Sequence, residues 1–212
     1  MKYFPTGTVY GTLLNFRAEQ DLLGAKMNEA PYKAPPRAPV LYIKPANTWS
    51  ADGAQIAVPS RVAQVEVGAT VAMVMGAPGQ VAGYVLMNDF SIPHASLFRP
   101  PVKFKCLDGF LGVGSRMLSR DEAGDPLRLR VEVRIGAKLV QVVAFDGLVR
   151  DPGRLLADVS EFMTLRAGDA LMLGCGILPE GGRPLARVGD LVELSAPGFG
   201  SLANTLVAQA AP

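Results

Sequence analysis

Short apolar runs, broken every few residues by glycine or proline, set the pattern of this chain. Most of these runs have the period or length of strands. Pro39-Val40-Leu41-Tyr42-Ile43-Lys44 is one, and Val71-Ala72-Met73-Val74-Met75 is so continuously apolar that it predicts a strand buried on both faces. Leu127 to Ile135 alternates strictly, with Arg and Glu on the side expected to face solvent. Gly136-Ala137 predicts a turn into Lys138 to Val143, which completes a hairpin. Ala170 to Leu173 and Asp190 to Leu194 predict two late strands, each introduced by a Gly-Asp turn. Helical signals are fewer. Arg17 to Lys26 is one candidate; Leu155 to Thr164 is another, started by Asp151-Pro152 and stopped by Gly168, with Leu155, Val159 and Phe162 on one face. The pattern predicts a predominantly β, α+β fold with few short helices, without a βαβ rhythm or an internal repeat.

Composition narrows the function classes. The 212 residues are 49% hydrophobic and 19% charged, enough apolar material for one sizeable core. The net charge of +2 is spread along the chain, which predicts no nucleic-acid partner. No apolar run approaches the roughly 18 residues of a membrane span, and the start lacks the apolar stretch of a secretory signal. Cys106 and Cys175 stand far apart, as expected of thiols in a reducing cytoplasm. A single histidine, His94, rules out HExxH and multi-histidine metal sites, and reads as a loop-surface residue. The glycines match neither phosphate-loop nor dinucleotide fingerprints. Pro-rich 33–39 and Gly-rich 174–184 read as surface connections or as a lid and substrate loop.

A series of motifs in fixed order then narrows the reading further. Leu14-Asn15-Phe16-Arg17, Tyr32-Lys33-Ala34-Pro35-Pro36, Ile43-Lys44-Pro45, Gly68-Ala69-Thr70 with the following Val71-to-Gly76 strand, Gly83-Tyr84 with Asn88-Asp89, Lys103 to Phe110, Thr164-Leu165 with Gly168-Asp169, and Gly198 to Asn204 run through nearly the whole chain. In this order they resemble the fumarylacetoacetate hydrolase superfamily. The Tyr-Lys-Ala-Pro-Pro string resembles the amino-terminal module of the branch that serves homoprotocatechuate (4-hydroxyphenylacetate) catabolism. The resemblance implies the family's three-layered β fold, with a lid-like amino-terminal segment over 1–60 and a catalytic-type domain over 61–212.

By the same resemblance the ligand is a small dicarboxylic keto-enol compound. The implied activity is isomerisation of 2-hydroxyhepta-2,4-diene-1,7-dioate or decarboxylation of 5-oxopent-3-ene-1,2,5-tricarboxylate. Lys105 falls on the family's catalytic lysine, ranked above His94, and Asn15, Arg17, Cys175 and Gly176 fall on substrate-binding positions. Family members hold Mg²⁺ or Mn²⁺ with Glu-x-Glu and a downstream aspartate. Hard cations favour carboxylate oxygens, and strand positions i and i+2 share a face. Here the glutamate positions are Gly68 and Thr70, Asp89 alone remains, Glu66 lies nearby, and the lid histidine is Glu19. Beside these readings stand plainer ones: Asp89 as a turn cap, Lys105 as a solvated strand lysine, the cysteines as apolar filler. The depleted ligand set also raises the alternative of a non-catalytic module paired with a paralogue that keeps the acidic triad; the expected assembly is a homodimer or a hetero-assembly with such a paralogue.

Overall fold

The computed structural model describes residues 1–94 and 101–210. In chain order its strands are β1 (Val9–Leu13), β2 (Val40–Lys44), β3 (Trp49–Ala51), β4 (Gln55–Val58), β5 (Val65–Glu66), β6 (Ala69–Ala77), β7 (Gln80–Asp89), β8 (Leu111–Ser119), β9 (Arg130–Ile135), β10 (Lys138–Ala144), β11 (Ala170–Met172), β12 (Leu185–Ala186), β13 (Leu191–Ala196) and β14 (Gly200–Ala208). The helices are α1 (Arg17–Leu23), α2 (Val102–Lys105), α3 (Arg120–Ala123) and α4 (Pro152–Ser160). Seven strands form one curled, mixed sheet in the order β2-β1-β11-β6-β7-β8-β3; five form a second sheet in the order β10-β9-β13-β14-β4; β5 and β12 make a small ladder. The predominantly β, α+β class expected from the pattern is the observed one.

Strand parity divides the core in two. On β6, Val71, Met73 and Met75 point into the space between the two sheets, while Ala72 and Val74 point into the hollow of the curl. On β7, Tyr84 and Leu86 take the first side and Val85 and Met87 the second. The continuous apolar run of β6 is thus explained: the strand lies between two apolar layers and has no wet face. The second sheet contributes Val131, Val133, Val192, Leu194 and Leu202 from one face only, so its strands alternate as the sequence pattern requires. Helix α4 adds Leu155 and Val159 to the inter-sheet core. Asp151 caps it by accepting from the Arg154 N–H at 2.8 Å, and Pro152 occupies its first turn.

Several boundaries differ from the sequence expectation for local reasons. Helix α1 is shorter than Arg17 to Lys26, because Gly24 ends it and a 3₁₀ turn over Gly24–Asn28 follows. Helix α4 stops at Ser160, so Phe162 lies outside it and is exposed. Residues 126–128 form a 3₁₀ turn, leaving β9 to begin at Arg130.

The hollow of the curl is filled from its edge. Tyr42 on β2 lies directly opposite Gly11 on β1, and its ring covers that glycine. A β-carbon at position 11 would sit 2.0 Å from the ring, so only glycine lets the ring lie flat across the strand. Met27 and Leu14 close the same apolar layer. Gly11→Ala is therefore expected to destabilise the fold by about 1–3 kcal/mol, the usual cost of overpacking a core. Urea unfolding should show a lower midpoint with an unchanged slope.

Candidate active site

Asp89 is the last residue of β7, and its side chain is fully buried at the rim of the curl. Three groups converge on it. Lys105 Nζ donates to Oδ2 at 2.6 Å, the Tyr42 hydroxyl donates to the same oxygen, and Lys44 Nζ stands 2.9 Å from Oδ1. Tyr42 and Lys44 reach it together because they are i and i+2 of one strand; Ile43 between them is half exposed. Lys44 directs its N–H bonds at the carbonyls of Lys105, Phe110 (2.7 Å) and Phe90 (3.5 Å), so it meets Oδ1 as an ion pair. Lys105 also lies over the Tyr42 ring, 4.9 Å from its centroid.

Burial alone would raise the Asp89 carboxyl, but Lys105 and Lys44 outweigh it and hold the group well below the carboxylate range. Burial, then the charge of Asp89, pushes the Tyr42 hydroxyl well above its ordinary value, so it remains a donor. Lys44 is lowered by burial against the opposing pull of Asp89. Neither plain reading describes the result. Asp89 caps no turn with its side chain, and Lys105 sits at the end of α2, buried, rather than solvated on a strand.

A second ion cluster lies across a cavity of about 130 Å³. Arg183, from the Gly-rich loop, donates from Nη2 to Glu19 Oε1 at 2.9 Å, and its Nη1 lies 3.5 Å from Glu66 Oε2. Glu19 Oε2 accepts from the Leu14 N–H at 2.7 Å, which fixes the carboxylate of α1. Burial would lower the Arg183 guanidinium, but Cys175, Glu19 and Glu66 hold it raised. His94, read from the sequence as a surface residue, is half buried in the cavity wall with Lys105. It stacks on Phe104 at 4.7 Å and directs Nδ1 at the Ile92 carbonyl, 2.9 Å away, while Nε2 has no partner among the described residues. Leu22, Leu23 and Ile177 supply the apolar wall. A wider cleft of about 510 Å³ near Tyr84 carries Arg120, Asp125 and Asp151 as exposed charges, and of the motif residues only Met73 and Tyr84 lie there.

The substrate-binding positions expected from the resemblance scatter. Asn15 is buried and structural, donating to the Leu173 and Arg150 carbonyls and accepting from the Arg150 N–H. Arg17 and Gly176 line a different surface groove, beside Val142. Cys175 is buried with its thiol on the Gly68 carbonyl at 3.4 Å; burial, then the charge of Asp89, pushes it up to about 12. Of the expected residues, Lys105 alone borders the cavity. Arg183 escaped the sequence reading because nothing in Gly-Gly-Arg-Pro marks a buried arginine. The Tyr42–Lys44 pair did leave a trace, since an apolar residue between two polar ones inverts the usual outward face.

The fumarylacetoacetate (FAA) hydrolase C-terminal family model matches residues 8–207. The chain belongs to the fumarylacetoacetate hydrolase family. It is 36% identical, over 95% of its length, to the 4-hydroxyphenylacetate degradation bifunctional isomerase/decarboxylase of Escherichia coli, covering 47% of that protein. It thus spans about half the length of the curated relatives it matches. Fumarylpyruvate hydrolase of Pseudomonas aeruginosa, solved with Mn²⁺ and pyruvate, superposes with a TM-score of 0.78 at 21% identity, covering 97% of this chain and 91% of that one. The 2-hydroxyhepta-2,4-diene-1,7-dioate isomerase of Mycobacterium marinum superposes with a TM-score of 0.74 at 20% identity, covering 99% and 78%. These two likenesses concern the fold.

The family's divalent metal does not fit the residues present. Both Asp89 oxygens already face cations. The Thr70 hydroxyl is buried and donates to the Gly174 carbonyl at 2.6 Å. A β-carbon at Gly68 would stand 2.3 Å from the Asp89 carbonyl oxygen and 3.1 Å from the Cys175 sulfur, so no longer side chain could enter from there. Among the described residues no group of three His, Cys, Asp or Glu could hold a metal.

Calorimetric titration with Mg²⁺ or Mn²⁺ is accordingly expected to reveal no stoichiometric low-micromolar site; finding one would refute the ligand-count argument. A second expectation concerns acid. The Asp89 carboxyl is depressed in the fold, so its contribution to stability is complete above about pH 4 and is lost as pH falls through the folded value. Asp89→Asn should cost about 3–5 kcal/mol near neutrality by stranding a buried lysine. In urea melts that gap between the parent and the variant should narrow below about pH 4; a constant gap would contradict the assignment.

Proposed function

We propose that the chain is an isomerase module acting on a small dicarboxylic keto-enol compound in 4-hydroxyphenylacetate degradation, 2-hydroxyhepta-2,4-diene-1,7-dioate being the substrate the relatives suggest. The observation that carries the reading is the cavity itself, in which Lys105 and Arg183 offer positive charge beside His94, whose Nε2 has no partner among the described residues. Isomerisation asks less of such a site than decarboxylation. One proton leaves the enol oxygen and one returns to carbon at the far end of the diene, so no carbon–carbon bond breaks and no strong Lewis acid is required. In this reading His94 accepts the enol proton, and Lys105 contributes its positive field beside the developing oxyanion.

At about 130 Å³ the cavity is smaller than the roughly 300–1,000 Å³ usual for ligand sites. Helix α1, tied to the loop by Glu19 and Arg183, therefore has to move aside for a seven-carbon dianion. A second reading draws support from the sealed Asp89 cluster. In it the module is structural, and turnover belongs to a homologous module with an intact acidic triad. The doubled length of the relatives favours a fused two-module enzyme over a separate partner subunit for that arrangement.

Steady-state assays on the purified chain with chelator present discriminate the two. Under the first reading, ketonisation persists in the chelator and His94→Gln lowers kcat by about 10²-fold or more, the usual weight of a general base. No turnover by the chain alone, with full activity on adding the triad-bearing paralogue, would establish the second.

A further inference from the structure

The metal mismatch points to what has taken the ion's place. We propose that Arg183 is the oxyanion-binding group of this cavity, a guanidinium doing the electrostatic work that a divalent cation does in metal-holding members of the fold, with Glu19 as an internal carboxylate that occupies it until an anion arrives. The inference rests on the proposed isomerase reading for its substrate class, but its binding step is independent of turnover.

Several observations converge on Arg183. Its side chain is almost buried, yet among the described residues Nε has no hydrogen-bond partner, so the fork of donors is only partly used. Among the described residues its aligned hydrogen bond goes to Glu19 on α1, the element that has to move for a ligand to enter, while the contact to Glu66 is longer. Arg183 lines the same cavity as Lys105, which holds Asp89, the one family-type carboxylate that remains. A planar fork with unused donors matches a planar carboxylate or the enolate oxygens of a 2-oxo acid. A bound ligand carboxylate would replace Glu19 on the fork, so internal ion pair and ligand are alternatives rather than neighbours.

Oxalate is the probe, a planar dianion shaped like the enolate end of a 2-oxo acid, titrated calorimetrically into the full chain with chelator present. The parent is expected to bind it without metal. Arg183→Met should weaken binding at least tenfold. Arg183→Lys, which keeps the charge but not the fork, should weaken it several-fold and serves should the methionine variant not fold, as judged by circular dichroism. Glu19→Gln should tighten binding several-fold by removing the internal competitor, a result that a purely structural arginine would not produce. The proposal is overturned if oxalate binds only with added Mg²⁺ or Mn²⁺. It is overturned equally if the Arg183 variants bind like the parent, or if neither the parent nor Glu19→Gln binds at millimolar oxalate. A chain that binds oxalate through Arg183 without turning over keeps this inference and loses the isomerase reading. One that isomerises in chelator with Arg183→Met unimpaired does the reverse.

Discussion

A buried carboxylate that cannot be left unpaired organises this fold. Asp89 ends β7 at the rim of a curled sheet, where an uncompensated charge would be costly. Two ammonium groups and a phenol answer it, from β2 and α2. Because β2 is the edge strand and β7 lies four places away in the sheet, Asp89 can reach Tyr42 and Lys44 only if the sheet curls. The charge thereby holds the curvature, and the apolar layer of Val74, Val85 and Met87 fills the hollow beneath. Lys44 is held in turn by three backbone carbonyls, so α2 and the approach to β8 are tied to the same point.

The second cluster has a different character. Arg183, Glu19 and Glu66 join a loop, a short helix and a two-residue strand, elements with few apolar contacts of their own. One molecule thus carries one ion cluster on its main sheet and a second that joins a loop, a short helix and a short strand, with the cavity between them.

Much of the fold was legible along the chain. The continuous run of β6, the alternation of β9, the Gly136 turn into β10 and the Asp151-Pro152 start of α4 each follow from local chemistry, and each is observed. Helix ends were less legible, since Gly24 and the turn after Ser160 stop the helices before their apolar period runs out. At the site, Gly68 and Thr70 stand where the resemblance implies Glu-x-Glu, and the structure adds that the space beside Gly68 is taken by Cys175 and the Asp89 backbone. Lys105 was singled out as a candidate catalytic lysine; the structure places it on the cavity wall, and its bond to Asp89 was not foreseeable from spacing.

By itself, then, the sequence determined the strand-rich class, the family motifs and the missing metal ligands, because periodicity, turn residues and side-chain type are properties of neighbouring positions. Tertiary structure alone decided which charges meet. Lys44 and Asp89 are 45 positions apart and Glu19 and Arg183 are 164 apart, brought together by sheet order and loop path. Spacing along the chain carries no record of such distances. Whether a lysine is solvated, locks a carboxylate or faces a ligand depends on what the fold places against it.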